Sequence, residues 1–119
     1  LRRLILLSLL LVPEALLGGV IRVPSEQTTI QAGIDAAAAG DTVYVADGPP
    51  YTGPGNRDLD FHGKALLVAS ESDDPDSCVI DCLGSDVDPH RGVRFHSAED
   101  STSVLRGFTI RGGWMADRG

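Results

Sequence analysis

After Gly40 the chain offers apolar residues only in short runs, and no later stretch carries a helical period. Thr42-Val43-Tyr44-Val45-Ala46, Leu59-Asp60-Phe61, residues 65–69, Val79-Ile80, Val93-Arg94-Phe95, Val104-Leu105 and Phe108-Thr109-Ile110 are each too short for a helix. Most are rich in β-branched or aromatic residues, so they read as strands. Polar turn stretches such as Gly53-Pro54-Gly55-Asn56 and Asp73-Asp74-Pro75-Asp76 separate them. Many short strands at close spacing fit a sandwich, a barrel or a solenoid. Turns of uneven length, no helix between strands, and a glycine shortly ahead of several runs (Gly63, Gly92, Gly107) favour the solenoid. In a solenoid each coil bonds to the next, and apolar side chains fill a shared interior.

One helix precedes the strands. Residues 28–41 begin with Thr28 and Gln31, the spacing of a capping box, in which the Thr hydroxyl and the Gln side chain each take a free backbone N–H. Ile30, Ile34 and Ala37 fall on one face, and Gly40 is placed to end the helix in a left-handed conformation. A single apolar stripe needs a surface to cover. The expected surface is the open first coil, whose edge and core would otherwise face water.

Residues 1–19 read as a secretory signal peptide. Arg2 and Arg3 form a basic start, residues 4–12 are apolar apart from Ser8, and small residues follow Pro13-Glu14. The apolar run falls short of the roughly 20 residues a membrane-spanning helix needs. Cleavage is expected just after Gly18 or Gly19, so the membrane is a partner only during export and the mature protein is secreted or at the cell surface. The formal net charge is −7. Losing Arg2, Arg3 and Glu14 makes the mature chain one unit more negative. An acidic chain with few aromatic residues is a poor ligand for nucleic acid. Cys78 and Cys82 are separated by Val79-Ile80-Asp81. In an extended run their Cα atoms would be roughly 13 Å apart, whereas a disulfide needs about 4.4–6.8 Å. Two free thiols, or partners elsewhere in a longer chain, are expected. Zinc is not, because no second Cys/His pair sits at ligand spacing.

The run "TTIQAGIDAAAAGDTVYVADG", residues 28–48, resembles the start of right-handed parallel β-helix proteins of the pectin-lyase-like superfamily. "SVLRGFTIRGG", residues 103–113, is similar to that family's coil repeat, and "GKALLVASE", residues 63–71, extends the likeness over nearly the whole mature chain. Gly48-Pro49-Pro50-Tyr51 departs from the family's shorter turn. The resemblance implies an all-β parallel β-helix, of which residues 20–119 are the capping helix and first few coils. Because no polar cap follows Gly112-Gly113-Trp114, the chain is expected to be the N-terminal portion of a longer protein. No activity follows, since the fold serves lyases, esterases, hydrolases, adhesins and proteins without known activity.

Alternation within the strands gives the candidate site. With Val93, Phe95, Phe108 and Ile110 turned inward, Arg94, His96, Thr109 and Arg111 face out. Arg94, His96 and Arg111 on one wall would suit a uronate or sulfated sugar, because guanidinium matches carboxylate geometry. A solvated face is the plainer reading. The family's lyases use a basic residue to take a proton next to a carboxylate-bearing carbon, and none of these arginines sits in a matching motif. Asp73, Asp74 and Asp76 form an acidic turn, and Asp86 with Asp88 another. Calcium is the one ion such turns suggest; otherwise no cofactor is called for, and neither turn has the spacing of a calcium loop. Asp58 and Asp60 flank Leu59 and offer a carboxylate pair for sugar hydrolysis, which edge-strand alternation explains equally well. His62, His90 and His96 are scattered along the chain, and no Ser-His-Asp set or phosphate loop is present. Trp114 is a sugar platform or, more plainly, corner packing.

Two functions follow as expectations. One is an exported scaffold that meets polysaccharide or a cell-surface glycan without catalysis in these residues. The other is the N-terminal part of a polysaccharide lyase or glycoside hydrolase acting on acidic polysaccharides. Oligomeric state is not read from the sequence.

Overall fold

The computed structural model describes residues 18–116. The export reading therefore falls outside the described residues, apart from Gly18 and Gly19. Strand β1 (Val20–Val23) comes first, then helix α1 (Ile30–Ala36), then β2 (Thr42–Val45), β3 (Leu59–Asp60), β4 (Leu67–Ser70), β5 (Val79–Asp81), β6 (Val93–Arg94), β7 (Val104–Arg106) and β8 (Thr109–Arg111). Every apolar run named above supplies a strand, and residues 20–24, which carry no turn signal until Pro24, supply another.

All paired strands are parallel. One sheet has the order β1-β2-β4-β7; β3-β6 and β5-β8 form two smaller ones. The chain visits these sheets in a fixed rotation. After β2, Tyr51 bridges Ile80 of β5, and β3 follows; then come β4, β5 and β6, then β7 and β8. Registers run without slip, for example Val43↔Val68↔Leu105 and Ile80↔Ile110. The longer turn through Pro49-Pro50 is absorbed, because Tyr51 donates its hydroxyl to Ala46 O (2.7 Å) while its backbone pairs with β5.

The interior collects one residue from each alternation: Val23, Val43, Val45, Leu59, Phe61, Leu66, Val68 and Ile80 are buried. Each such side chain contributes on the order of 1.5–3 kcal/mol. Phe95 and Ile110, expected inward, are 47% and 42% exposed. Both lie on or beside strands with a neighbour on one side only, so the core covers just one flank, although the Phe95 ring still meets Phe61 at 5.0 Å.

Helix α1 lies over β1, β2 and β3 with Ile30 and Ile34 fully buried, and Ala37 just beyond it nearly so. Gly33 makes this approach feasible: a Cβ there would stand 2.9 Å from methyls of both Val23 and Val43. The caps differ from the expected ones. Thr29, not Thr28, is the N-cap, its Oγ1 accepting from Ala32 N (3.1 Å). The other early donors go to the 53–56 turn, Ile30 N to Asn56 Oδ1 (3.0 Å) and Gln31 N to Gly55 O (2.8 Å). The helix stops at Ala37 in extended conformation, before Gly40. Its terminal carbonyls are taken by Lys64, whose Nζ donates to Ile34 O (2.9 Å), Asp35 O (3.1 Å) and Ala37 O (2.8 Å). Among the described residues no helix is long and apolar enough to cross a membrane.

Candidate functional site

The pairing of β3 with β6 brings together a group of ionisable side chains. Leu59 lies against Val93 and Asp60 against Arg94. Laterally paired residues of parallel strands share a face, so Asp60 and Arg94 both point away from the core that Leu59 enters. Asp58 and His62, on either side of β3, hold left-handed backbone (φ 51° and 54°). Aspartate and histidine tolerate that region better than most residues.

Register then joins residues far apart in sequence. His90 Nδ1 is 2.6 Å from Asp58 Oδ2, and the other Asp58 oxygen accepts Arg91 N–H (2.9 Å). His96 Nε2 is 2.8 Å from Asp60 Oδ2. His62 sits 3.6 Å from Asp60 and 3.5 Å from Asp35 of α1. His90 Nε2 is buried without a hydrogen bond, although Asp88 Oδ1 is only 3.0 Å away; the pair is close but out of line. Burial pushes the Asp58 carboxyl up, yet the Arg91 N–H, the His90 imidazole and the Arg57 charge outweigh it and hold the group below the usual carboxylate range. The His62 N–H, and then His96, do the same for Asp60 against a smaller cost of burial.

Two adjoining hollows share Asp58 and Asp60 as a common wall. The larger, about 400 Å³, is lined by Gln31, Pro54, Gly55, Arg57, His62 and His90; the smaller, about 210 Å³, by Arg91, Arg94 and His96. Arg57 spends one donor on Cys82 O (3.0 Å). Arg91 and Arg94 have no side-chain hydrogen bond or ion pair among the described residues. Chemically, the groove offers guanidinium donors for an anion, and imidazole–carboxylate pairs able to take and give a proton.

Of the residues singled out in sequence, Arg94 and His96 come together here. Arg111 does not join them: it stands on β8, in another sheet, with Nε on Asp81 Oδ2 (3.0 Å). Strand alternation gives facing but not which sheet a strand enters, so the expected three-residue wall is corrected to two. Asp73, Asp74 and Asp76 form no shared cage. Asp73 accepts from Arg106 Nε (3.2 Å), while Asp74 accepts from Asp76 N and Ser77 Oγ (3.0 and 2.9 Å). Among the described residues no group of three or more His, Cys, Asp or Glu has the geometry to hold a metal ion. Trp114 is exposed, and its backbone N–H donates to His90 O (2.7 Å), pinning the segment that carries that imidazole. Cys78 and Cys82 are free, buried thiols.

Sequence reasoning offered Asp58 and Asp60 as a carboxylate pair, but it left His62 and His90 as scattered histidines and passed over Arg91. The one available signal was the Asp-Leu-Asp-Phe-His spacing, which puts two carboxylates and an imidazole around a single buried pair. No protein-family model matches the chain, and no curated protein or solved structure does either.

Proposed function

We propose that this chain forms the first coils of an exported right-handed parallel β-helix whose β3–β6 wall binds an acidic glycan. The β-helix reading draws support from the fixed rotation of the chain through three parallel sheets beneath α1. Export draws on the basic and apolar character of residues 1–19. The ligand class rests on one observation: Arg91 and Arg94 line a groove on the β3–β6 strand pair, with guanidinium groups that have no partner among the described residues. Guanidinium takes a carboxylate or sulfate with paired donors, and Asp58 and Asp60 are acceptors for sugar hydroxyls.

Calorimetric titration with uronate and neutral oligosaccharides tests the reading. The uronate binds, and Arg91→Ala with Arg94→Ala weakens it at least tenfold, since each charge-assisted hydrogen bond is worth about 1.5–3 kcal/mol. Equal affinity for neutral sugar, or indifference to the double substitution, sinks it. The Asp58–His90 and Asp60–His96 pairs favour a second reading, a polysaccharide lyase or hydrolase, because a carboxylate-held imidazole is equipped for general base work. Release of reducing ends or unsaturated uronate by the protein would select it.

A further inference from the structure

The chain has 3 histidines, and all of them stand in this one groove, each against a carboxylate. The charged groups around them come from every element packed there. Helix α1 contributes Asp35; the turn before β3 contributes Arg57 and Asp58, and β3 itself Asp60. The segment before β6 contributes Asp88 and Arg91, and β6 contributes Arg94. Glu99, held by the Ser97 and Gly63 N–H groups, completes the set. With neutral imidazoles, three guanidinium groups face five carboxylates and the groove is net negative. With three imidazolium ions the sign reverses. Lys64 is turned onto the carbonyls of α1, and including it leaves both signs unchanged.

We infer that the groove binds its anionic ligand in mildly acidic solution and releases it towards neutral pH, with His62, His90 and His96 as the switch. This rests on the acidic-glycan reading above and adds its regulation. Histidine is the residue type whose charge changes between about pH 5 and 8. While the imidazoles are neutral, Asp58 and Asp60 repel a ligand carboxylate approaching Arg91 and Arg94 across the shared wall. Protonation turns each Asp–His contact into an ion pair and leaves the guanidinium charge uncompensated. His90 is prepared for this change: its buried Nε2 lacks a hydrogen bond, and a proton placed there finds Asp88 Oδ1 at 3.0 Å.

The test is calorimetric titration of the whole protein with tetragalacturonate, and with maltotetraose as the uncharged control, from pH 5 to 8. The galacturonate probe stays ionised throughout. It should bind about tenfold or more tightly at pH 5.5 than at pH 7.5, as a change in the sign of the local field requires. The gain should shrink in 0.5 M salt. His90→Gln with His96→Gln should flatten the profile while circular dichroism stays unchanged. Binding near pH 6.5 should also take up protons, read from paired titrations in buffers of different ionisation enthalpy. That measurement needs no variant, so a double variant that fails to fold does not remove the test. Tetragalacturonate binding that is flat with pH, or that takes up no protons, overturns the switch and leaves the groove reading standing. No binding of tetragalacturonate at any pH overturns the groove reading itself.

Discussion

The side-chain amide of Gln31 pairs with both main-chain polar groups of Asp60: Nε2 donates to Asp60 O and Oε1 accepts from Asp60 N, each at 2.9 Å. A glutamine on the helix thus does for β3 what a neighbouring strand would do. It satisfies the strand edge that β6 does not reach, and an unsatisfied edge is costly when partly buried. It also fixes the backbone that aims the Asp60 carboxylate. Gln31→Ala should therefore destabilise the fold by about 1–3 kcal/mol in urea unfolding, and should weaken binding in the groove as well. A variant of native stability would show that the helix and β3 are not coupled in this way.

Lys64 ties the other end of the helix to the strands. Its three bonds to Ile34, Asp35 and Ala37 carbonyls satisfy groups that a short helix leaves bare, and its charge sits at the negative end of the helix dipole. Lys64→Met keeps the stem and removes the donors. The expected loss is about 1–3 kcal/mol, read as a lower Tm with helical dichroism reduced. Ile34→Asp, which places an unpaired charge in the sealed core, should abolish cooperative unfolding altogether.

These two contacts also mark what the sequence could and could not convey. The apolar runs announced every strand after the helix, because period and residue type are local properties. The burial of Ile30, Ile34 and Ala37 was legible for the same reason. The N-cap lies one residue beyond the expected Thr28, and the glutamine half of the box does not form, since Gln31 is used 29 positions away, on Asp60. Gly40 carried a plausible stop signal, yet the helix ends earlier, where Lys64 captures its carbonyls. The groove was hidden for a related reason. Asp60 and His96 are 36 residues apart, and they meet only because β3 and β6 enter the same sheet in one register. Turns of uneven length conceal that register. Arg111 alternates outward just as Arg94 does, and only sheet membership separates them.

Acid should act on the groove carboxylates. Asp58 and Asp60 are held below the usual carboxylate range in the folded protein. The stability they contribute is therefore fully present above the unfolded value of about 4, and is lost as pH falls through the lower folded values. Stability should decline as pH falls below about 4. Asp60→Asn should be less stable than the parent at pH 7 and lose less on acidification. An unchanged acid arm in that variant would mean that Asp60 gains nothing from the His62 N–H and His96.

Alkali should act on Cys78. Its thiol is buried, with Val45 O and Ala46 O 3.9 and 3.7 Å from Sγ, and burial followed by the Asp47 charge pushes it up to about 11 from an ordinary value of 9.0. Folding thus favours the neutral thiol. The stabilisation is complete below pH 9 and disappears as pH rises through 11, a loss of roughly 2–3 kcal/mol for a shift of this size. Cys78→Val fills nearly the same volume and cannot ionise, so its stability should fall less across that window than the parent's, the remaining loss coming from Cys82 and Tyr51, whose burial also favours their neutral forms. The same burial predicts that a thiol reagent at pH 8 labels neither Cys78 nor Cys82 in the folded protein and labels both in denaturant without reductant. Labelling of the native protein, or a need for reductant before the denatured chain reacts, would overturn the assignment of two sealed, unbridged thiols.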